Sequence, residues 1–270
     1  MRLAIDHTTH YRFSGPVAQG LQRLRLTPKN SAGQSIVSWE IALEGAAREV
    51  EYDDENCNHV TLIAFAPGVN EVTIRCHGMV DTADSSGIVG KHSGHLPLWH
   101  FLQSTELTQP GPKLRAMLAG LPSDGDMLAR LHALSEVVRD TVEFAPGHTD
   151  STTGSEAVLA AGRGVCQDHT HVFVTAARAI GAPARYVSGY LMMDDRVDQD
   201  AGHAWAEAMV EGLGWVAFDV SNKICPDARY VRVATGRDYR EAAPVTGLRS
   251  GTRDEFMHVT LAVEQQRVEQ

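Results

Sequence analysis

The sequence predicts an α+β protein, a small all-β domain followed by a domain of helices and an antiparallel sheet. Three observations carry this. About the first 80 residues alternate apolar and polar side chains in short runs. Stretches with helical spacing follow, and runs rich in β-formers return from residue 184.

The chain starts directly with alternating residues, Met1-Arg2-Leu3-Ala4-Ile5-Asp6-His7. Residues 38–43 and 49–52 alternate, 60–65 form a short apolar run, and in 71–80 Val72, Ile74 and Cys76 share one face, the period of a half-buried strand. Turn chemistry separates these runs at Pro28-Lys29-Asn30 with Gly33, at Asp53-Asp54-Glu55-Asn56 and at Pro67-Gly68-Val69-Asn70. Short strands at this spacing imply a β sandwich over residues 1–84, ending near Asp84-Ser85-Ser86-Gly87. A connecting segment rich in Gly, His and Pro, with one helix near 112–121, is expected over 85–122.

The second domain is expected over 123–270. Its first helix, with Ser123 or Asp124 as cap, places Met127, Leu128, Leu131, Leu134 and Val138 at helical spacing. Thr153-Gly154-Ser155-Glu156 has the form of a capping box before a short helix closed by Gly162. Cys166 opens the next helix, with Val172, Ala176 and Ile180 on one face and Gly181 at its end. Strands follow at 184–193, 204–210 and 215–220, with Glu211-Gly212-Leu213-Gly214 as the hairpin turn between the last two. A final strand is expected over 256–263.

Composition bounds the function. The chain has 270 residues and 43% apolar content, enough to build a core. A formal charge of −10, from 24 basic against 34 acidic residues, argues against nucleic acid as a partner. The N-terminus lacks the apolar core of a signal peptide, and no apolar run approaches membrane-spanning length. Cys57, Cys76, Cys166 and Cys225 are scattered, with no CxxC spacing. A cytoplasmic protein with reduced thiols and no membrane partner is therefore expected.

Cys166 lies in Gly162-Arg163-Gly164-Val165-Cys166-Gln167-Asp168, at the mouth of a predicted helix. The positive end of a helix favours a thiolate, and its free N–H groups can hold an oxyanion. A lone cysteine is commonly a small buried packing residue, but the polar neighbours Gln167, Asp168 and His169 weaken that reading. A thiolate nucleophile needs a base at hydrogen-bond distance. His203, in Gly202-His203-Ala204-Trp205, supplies one, and Asp219 follows on the next strand, nearly opposite across the predicted turn. Glu207 and Asp200 are alternative partners for the histidine, and a strand histidine is ordinarily a half-buried packing residue, a reading that the hairpin spacing alone does not overturn.

The stretch GVCQDHTHVFVTAARAIGAPARYVSGYL, from Gly164 to Leu191, resembles the nucleophile helix and following strand of the transglutaminase-like superfamily. GHAWAEAMVEGLGWVAFDVSN resembles that superfamily's histidine and aspartate strands. Tyr11-Arg12-Phe13, the segment Gln22-Arg23-Leu24-Arg25-Leu26-Thr27-Pro28, and Gly236-Arg237-Asp238-Tyr239-Arg240 with Ala243-Pro244-Val245 resemble its bacterial members. The resemblance implies a papain-like core in which a nucleophile helix packs on an antiparallel sheet. It implies Cys166 as nucleophile, His203 as base, Asp219 as orienting acid, and His171 as support for the helix. Two departures occur. The aspartate strand reads Asp219-Val220-Ser221 where the family usually has Asp-Pro-Thr, and Cys57-Asn58 replaces a frequent Gly-Asn turn.

The implied activity is amide cleavage in a peptide or protein through a thioester on Cys166, with no cofactor and no metal. Transfer of a glutamine acyl group to an amine is the alternative, and a non-catalytic peptide-binding module is a third reading. His92, His95 and His100 cluster without a cysteine or carboxylate to complete a metal set. Asp194, Asp195, Asp198 and Asp200 lack the ordered spacing of a calcium loop and read as a solvated acidic turn. Cys225 reads as structural.

Overall fold

The computed structural model describes residues 1–122, 125–199, 201–251 and 254–266. Strands β1 (Arg2–Phe13), β2 (Gln19–Leu24), β3 (Gln34–Glu44), β4 (Ala46–Asp53), β5 (His59–Phe65) and β6 (Glu71–Thr82) come first. Alternation is carried through: every odd residue of β1 is buried, as are Val72, Ile74 and Cys76 of β6. One sheet has β3, β6 and β1 as antiparallel neighbours, and the other has β4, β5 and β2. Their facing side chains, among them Phe13, Leu24, Ile63, Phe65 and Ile74, form one core. This is the expected sandwich.

The second half comprises β7 (Ile88–Gly90), α1 (Pro112–Leu118), α2 (Met127–Thr141), β8 (Glu143–Phe144), α3 (Ser155–Ala161), β9 (Arg163–Gly164), α4 (Cys166–Ala179), β10 (Ala184–Leu191), β11 (Asp198–Gln199), β12 (His203–Val210), β13 (Gly214–Phe218), β14 (Tyr230–Gly236) and α5 (Tyr239–Ala242). The central sheet has the order β14-β10-β12-β13-β7 with antiparallel neighbours. Helix α4 packs on it, its Val172, Phe173, Ala176 and Ala177 meeting Ala206, Ala208, Val216 and Phe218. Leu131, Leu134 and Val138 of α2 and Val158 of α3 complete that core. Each large apolar side chain removed from water contributes roughly 1.5–3 kcal/mol, so this packing fixes where the mouth of α4 sits. No helix among the described residues is long and apolar enough to cross a membrane.

The chain then returns to the sandwich. β15 (Val245–Ser250) pairs with β2, and β16 (Glu255–Gln265) pairs with β1 from Phe13↔Glu255 to Leu3↔Gln265. Residues 245–265, expected within a core over 123–270, thus complete the two sandwich sheets instead. Strand pairing depends on which edges lie free in space, and local alternation does not reveal that.

Other local expectations are corrected. Ser123 and Asp124 lie outside the described residues, and Asp126 caps α2 by accepting from Ala129 N at 2.8 Å. The capping box at 153–156 does not form, because Gly154 is the cap of α3. Glu156 reaches instead across to α1, accepting from the backbone N–H groups of Gly111 (2.9 Å), Lys113 (3.1 Å) and Leu114 (2.8 Å). Helix α1 has no side-chain cap of its own, and this carboxylate satisfies its orphan donors. Gly162 closes α3 at φ 67°, as its position requires.

Candidate active site

Cys166 is the first residue of α4 and partly exposed. Just ahead of it, Val165 N–H donates to Asp168 Oδ2 at 2.7 Å, and Thr149 Oγ1 donates to the same oxygen at 2.6 Å. A Cβ at Gly164 would lie 2.6 Å from Asp168 Cβ, so the glycine lets the strand enter the helix at this angle. The amides of Cys166 and Gln167 form no hydrogen bond among the described residues and stay free at the positive end of the helix.

Of the polar neighbours, Asp168 and His169 are buried and Gln167 is half-buried. His169 bonds Ser221 Oγ at 2.7 Å through Nδ1 and the Val142 carbonyl at 2.9 Å through Nε2. It thereby ties the turn after Asp219 to α4. His171 Nε2 accepts from Tyr239 N at 3.1 Å, joining α4 to the start of α5. Burial, with Arg178 adding to it, pushes the His171 pKa down to about 3, so the ring is a neutral structural acceptor.

His203 begins β12. Its Nε2 lies 2.6 Å from Asp219 Oδ2, and Cys166 lines the same cavity and interacts with the ring. Burial disfavours charge on the ring. The hydrogen bonds with Asp219 and Cys166 outweigh it and raise the His203 pKa to about 10. Asp219 is fully buried, and its pKa is lowered: burial opposes ionisation, and the His203 bond overcomes it. Its Oδ2 also accepts from Tyr230 O–H and from Asn222 Nδ2, each at 2.7 Å, and its Oδ1 from Asn222 N at 3.2 Å. Trp205 stacks beside the imidazole, 6.3 Å between centroids.

His203 and Asp219 are not directly opposite. The turn uses three residues, Glu211 to Leu213, because Gly214 already pairs with Val210. The register Ala206↔Phe218 therefore makes the pair diagonal on one sheet face, still within side-chain reach. The alternatives fall away differently: Glu207 is held by Arg185 at 2.6 Å and Arg232 at 2.7 Å, and Asp200 lies outside the described residues.

A cavity of about 260 Å³ opens on Cys166 and His203, walled by Val165, Ala204, Val233, Pro244 and, from the sandwich, His7 and Leu26. His7 Nδ1 shares a hydrogen bond of 2.9 Å with Tyr190 O–H, and burial pushes its pKa down to about 4. Tyr230, Asn222 and His7 are the residues here that sequence reasoning missed.

The remaining candidates are structural. His92 bonds the Leu96 carbonyl at 2.7 Å and accepts from Trp215 Nε1 at 3.1 Å. Asp194 pairs with Arg229 at 2.8 Å, and Asp195 is exposed beside Arg196. Among the described residues no group of three or more His, Cys, Asp or Glu side chains is arranged to hold a metal. Cys225 packs partly buried against the α4 core.

Comparison with known proteins places this geometry. Residues 116–220 match the transglutaminase-like superfamily, and residues 3–81 match the bacterial transglutaminase-like N-terminal region. The core is transglutaminase-like. A solved structure of a candidate cysteine protease from Cytophaga hutchinsonii superposes with a TM-score of 0.79 at 20% identity, covering 100% of this chain and 92% of that one. At that identity the likeness concerns the fold. An uncharacterized Mycobacterium leprae protein is 27% identical over 268 residues, covering 93% of this chain and 94% of its own length. A Mycobacterium tuberculosis protein, also uncharacterized, is 28% identical over 275 residues, covering 92% and 87%.

Proposed function

We propose that this transglutaminase-like core is a cysteine-dependent hydrolase of peptide or side-chain amides. The observation that carries the reading is His203, set between a buried carboxylate at 2.6 Å and a cysteine at a helix mouth. With its pKa raised to about 10 the imidazole holds a proton at neutral pH, and the reacting form of Cys166 is its thiolate. The thiolate sulfur attacks the amide carbonyl carbon, and the negative charge moves onto the carbonyl oxygen. The free amides of Cys166 and Gln167 would receive it. The C–N bond breaks as His203 delivers its proton to the departing amine. Water then adds to the thioester, His203 takes up its proton, and the acid leaves with the thiolate restored.

The mainly apolar walls, with His7 and Tyr190 both neutral at pH 7, favour an uncharged side chain next to the reacting amide. The test is the rate of Cys166 alkylation against pH, resolved by mass spectrometry, in the wild type and in His203→Ala. Rapid labelling well below a free thiol pKa of roughly 8.5, slowed by the substitution, is expected. Labelling no faster than that of exposed Cys57, and indifferent to His203, would sink the proposal. Turnover of peptide amides with added primary amine then separates hydrolysis from acyl transfer: hydrolysis predicts a product ratio that the amine leaves unchanged.

A further inference from the structure

A second cavity, of about 570 Å³, lies between the sandwich turns at 27–32 and 53–59 and the core sheet strands β7, β10, β13 and β14. Lys29, Arg185 and Arg232 form its inner wall, with Lys91 and His59 also lining it. Arg185 lies flat over the Trp215 ring at 3.9 Å. Both guanidinium groups share a single carboxylate, fully buried Glu207, through Arg185 Nε to Oε2 at 2.6 Å and Arg232 Nε to Oε1 at 2.7 Å.

Lys29 has no carboxylate partner. Its ammonium donates to the Asn56 carbonyl at 2.7 Å and to Thr235 Oγ1 at 3.0 Å, which leaves the third of its hydrogens unused. The inner wall thus sets two guanidinium groups and the Lys29 amine against one carboxylate. Asp53, the acid that lines the cavity, is largely exposed and sits beside His59 at 3.3 Å. The Asn56 side chain gives an independent sign: its Nδ2 and Oδ1 are both buried, and neither has a hydrogen-bond partner among the described residues. Buried polar groups are ordinarily paired, and an unpaired amide on the wall of a cationic cavity is a group prepared for a ligand. Burial, followed by Arg232 and Arg185, holds the Lys29 pKa well below its ordinary value against the weaker opposing pull of Glu207 and Asp54.

From this juxtaposition we infer that the cavity binds a small oxyanion, a phosphate group either free or carried on a small ester. Phosphate accepts several hydrogen bonds at once, and its negative charge suits a wall on which two guanidinium groups share one carboxylate and an amine keeps a donor to spare. The volume leaves room for a short organic part. The site is separate from the cysteine cavity and shares no lining residue with it. Arg232 and Val233, consecutive on β14, line one cavity each, because neighbouring strand residues point to opposite faces.

The experiment is isothermal titration of the full chain with inorganic phosphate and, separately, glycerol phosphate at constant ionic strength, with chloride as reference. Wild type, Lys29→Met and Asn56→Leu are compared, with circular dichroism checking the fold. Phosphate is expected to bind the wild type and to lose at least tenfold in affinity in each variant. Tighter binding of glycerol phosphate would assign an ester as the occupant, and tighter binding of inorganic phosphate the free anion. Absence of phosphate binding above chloride in the wild type overturns the inference. So does undiminished binding in Lys29→Met or, should that variant not fold, in Asn56→Leu, whose side chain has no hydrogen bond to lose. Cys166 alkylation is read in parallel, so that a failure of the oxyanion site is distinguished from a failure of the cysteine chemistry.

Discussion

Replacing Asp219 by Asn tests the proposed chemistry at a single group. Oδ2 accepts from His203 at 2.6 Å and from Tyr230 and Asn222 at 2.7 Å, while Oδ1 accepts from Asn222 N at 3.2 Å. With an ionised carboxylate every partner is a donor. A carboxamide cannot serve that set, because its NH₂ meets a donor in either orientation. A buried polar group left unmatched costs about 1–3 kcal/mol. Loss of the charge matters more. The rise of the His203 pKa from 6.5 to about 10 corresponds to as much as about 5 kcal/mol, at roughly 1.4 kcal/mol per pH unit. It is shared between Asp219 and Cys166, so the aspartate accounts for a few kcal/mol of it.

The sign follows from linkage. His203 is raised above its unfolded value, so its contribution to stability is complete below pH 6.5 and is lost as pH rises through about 10. Wild type should therefore lose stability between those values. Asp219→Asn, with His203 titrating close to or below its ordinary value, should show a flatter dependence there. Long-range ¹H–¹⁵N NMR of the His203 ring and urea unfolding from pH 6 to 10 measure both effects. By the scale of aspartate loss in other triads, turnover should fall on the order of 10³–10⁴-fold. A His203 ring still protonated at pH 9 in the variant, with Cys166 alkylation unchanged, would refute the reasoning.

Three further outcomes are expected. Tyr230→Phe removes one of the donors on Asp219 Oδ2 and should cost about 1–2 kcal/mol in urea unfolding, with a several-fold slower Cys166 alkylation; unchanged values would show that this bond is idle. Glu207→Gln strips Arg185 and Arg232 of their shared counter-charge and should destabilise by roughly 3–5 kcal/mol. The wild-type Glu207 pKa is lowered to about 2 against burial by those arginines, so its contribution is present above pH 4.5 and lost as pH falls through about 2, and acid unfolding of the Gln variant should be less steep there. Glu156→Ala uncaps α1 and should cost roughly 1–2 kcal/mol, seen as a lower urea midpoint with unaltered Cys166 alkylation.

What the sequence made legible was whatever is written locally. Cys166 at a helix mouth, and His203 and Asp219 flanking a hairpin, follow from helical spacing, strand alternation and a glycine turn. Their register was off by two because Gly214, at φ 88°, enters the strand and shortens the turn to three residues. Tyr230 was not legible because β14 is buried on both faces and shows no alternation. Asn222 sits in a loop, and His7 reaches the cavity from the other end of the chain, so neither carries a local signal. Asp168 and His169 misled in one respect, whereas His171 plays the supporting part the resemblance implies. As polar neighbours, Asp168 and His169 spoke against a buried Cys166, yet they are themselves buried and tie α4 to its surroundings.

The return of the chain to the sandwich bears on how the site is held. β1 lies between β16 and β6, and its one buried face serves both halves: Tyr11 and Phe13 pack inside the sandwich, while Leu3 and Ile5 pack with Tyr190, Val231 and Val233 of the core sheet. His7 falls between these two sets and enters the wall of the cavity at Cys166. The same strand that closes the sandwich thus positions a group beside the cysteine. Leu26, just beyond β2, and Pro244, just ahead of the strand that pairs with β2, do likewise. A sandwich merely tethered to the core could drift without altering the cavity. Here, displacing β1 would pull His7 from Tyr190 and expose Leu3 and Ile5, so the wall is as rigid as the seam that carries it. The sandwich is built as part of the site.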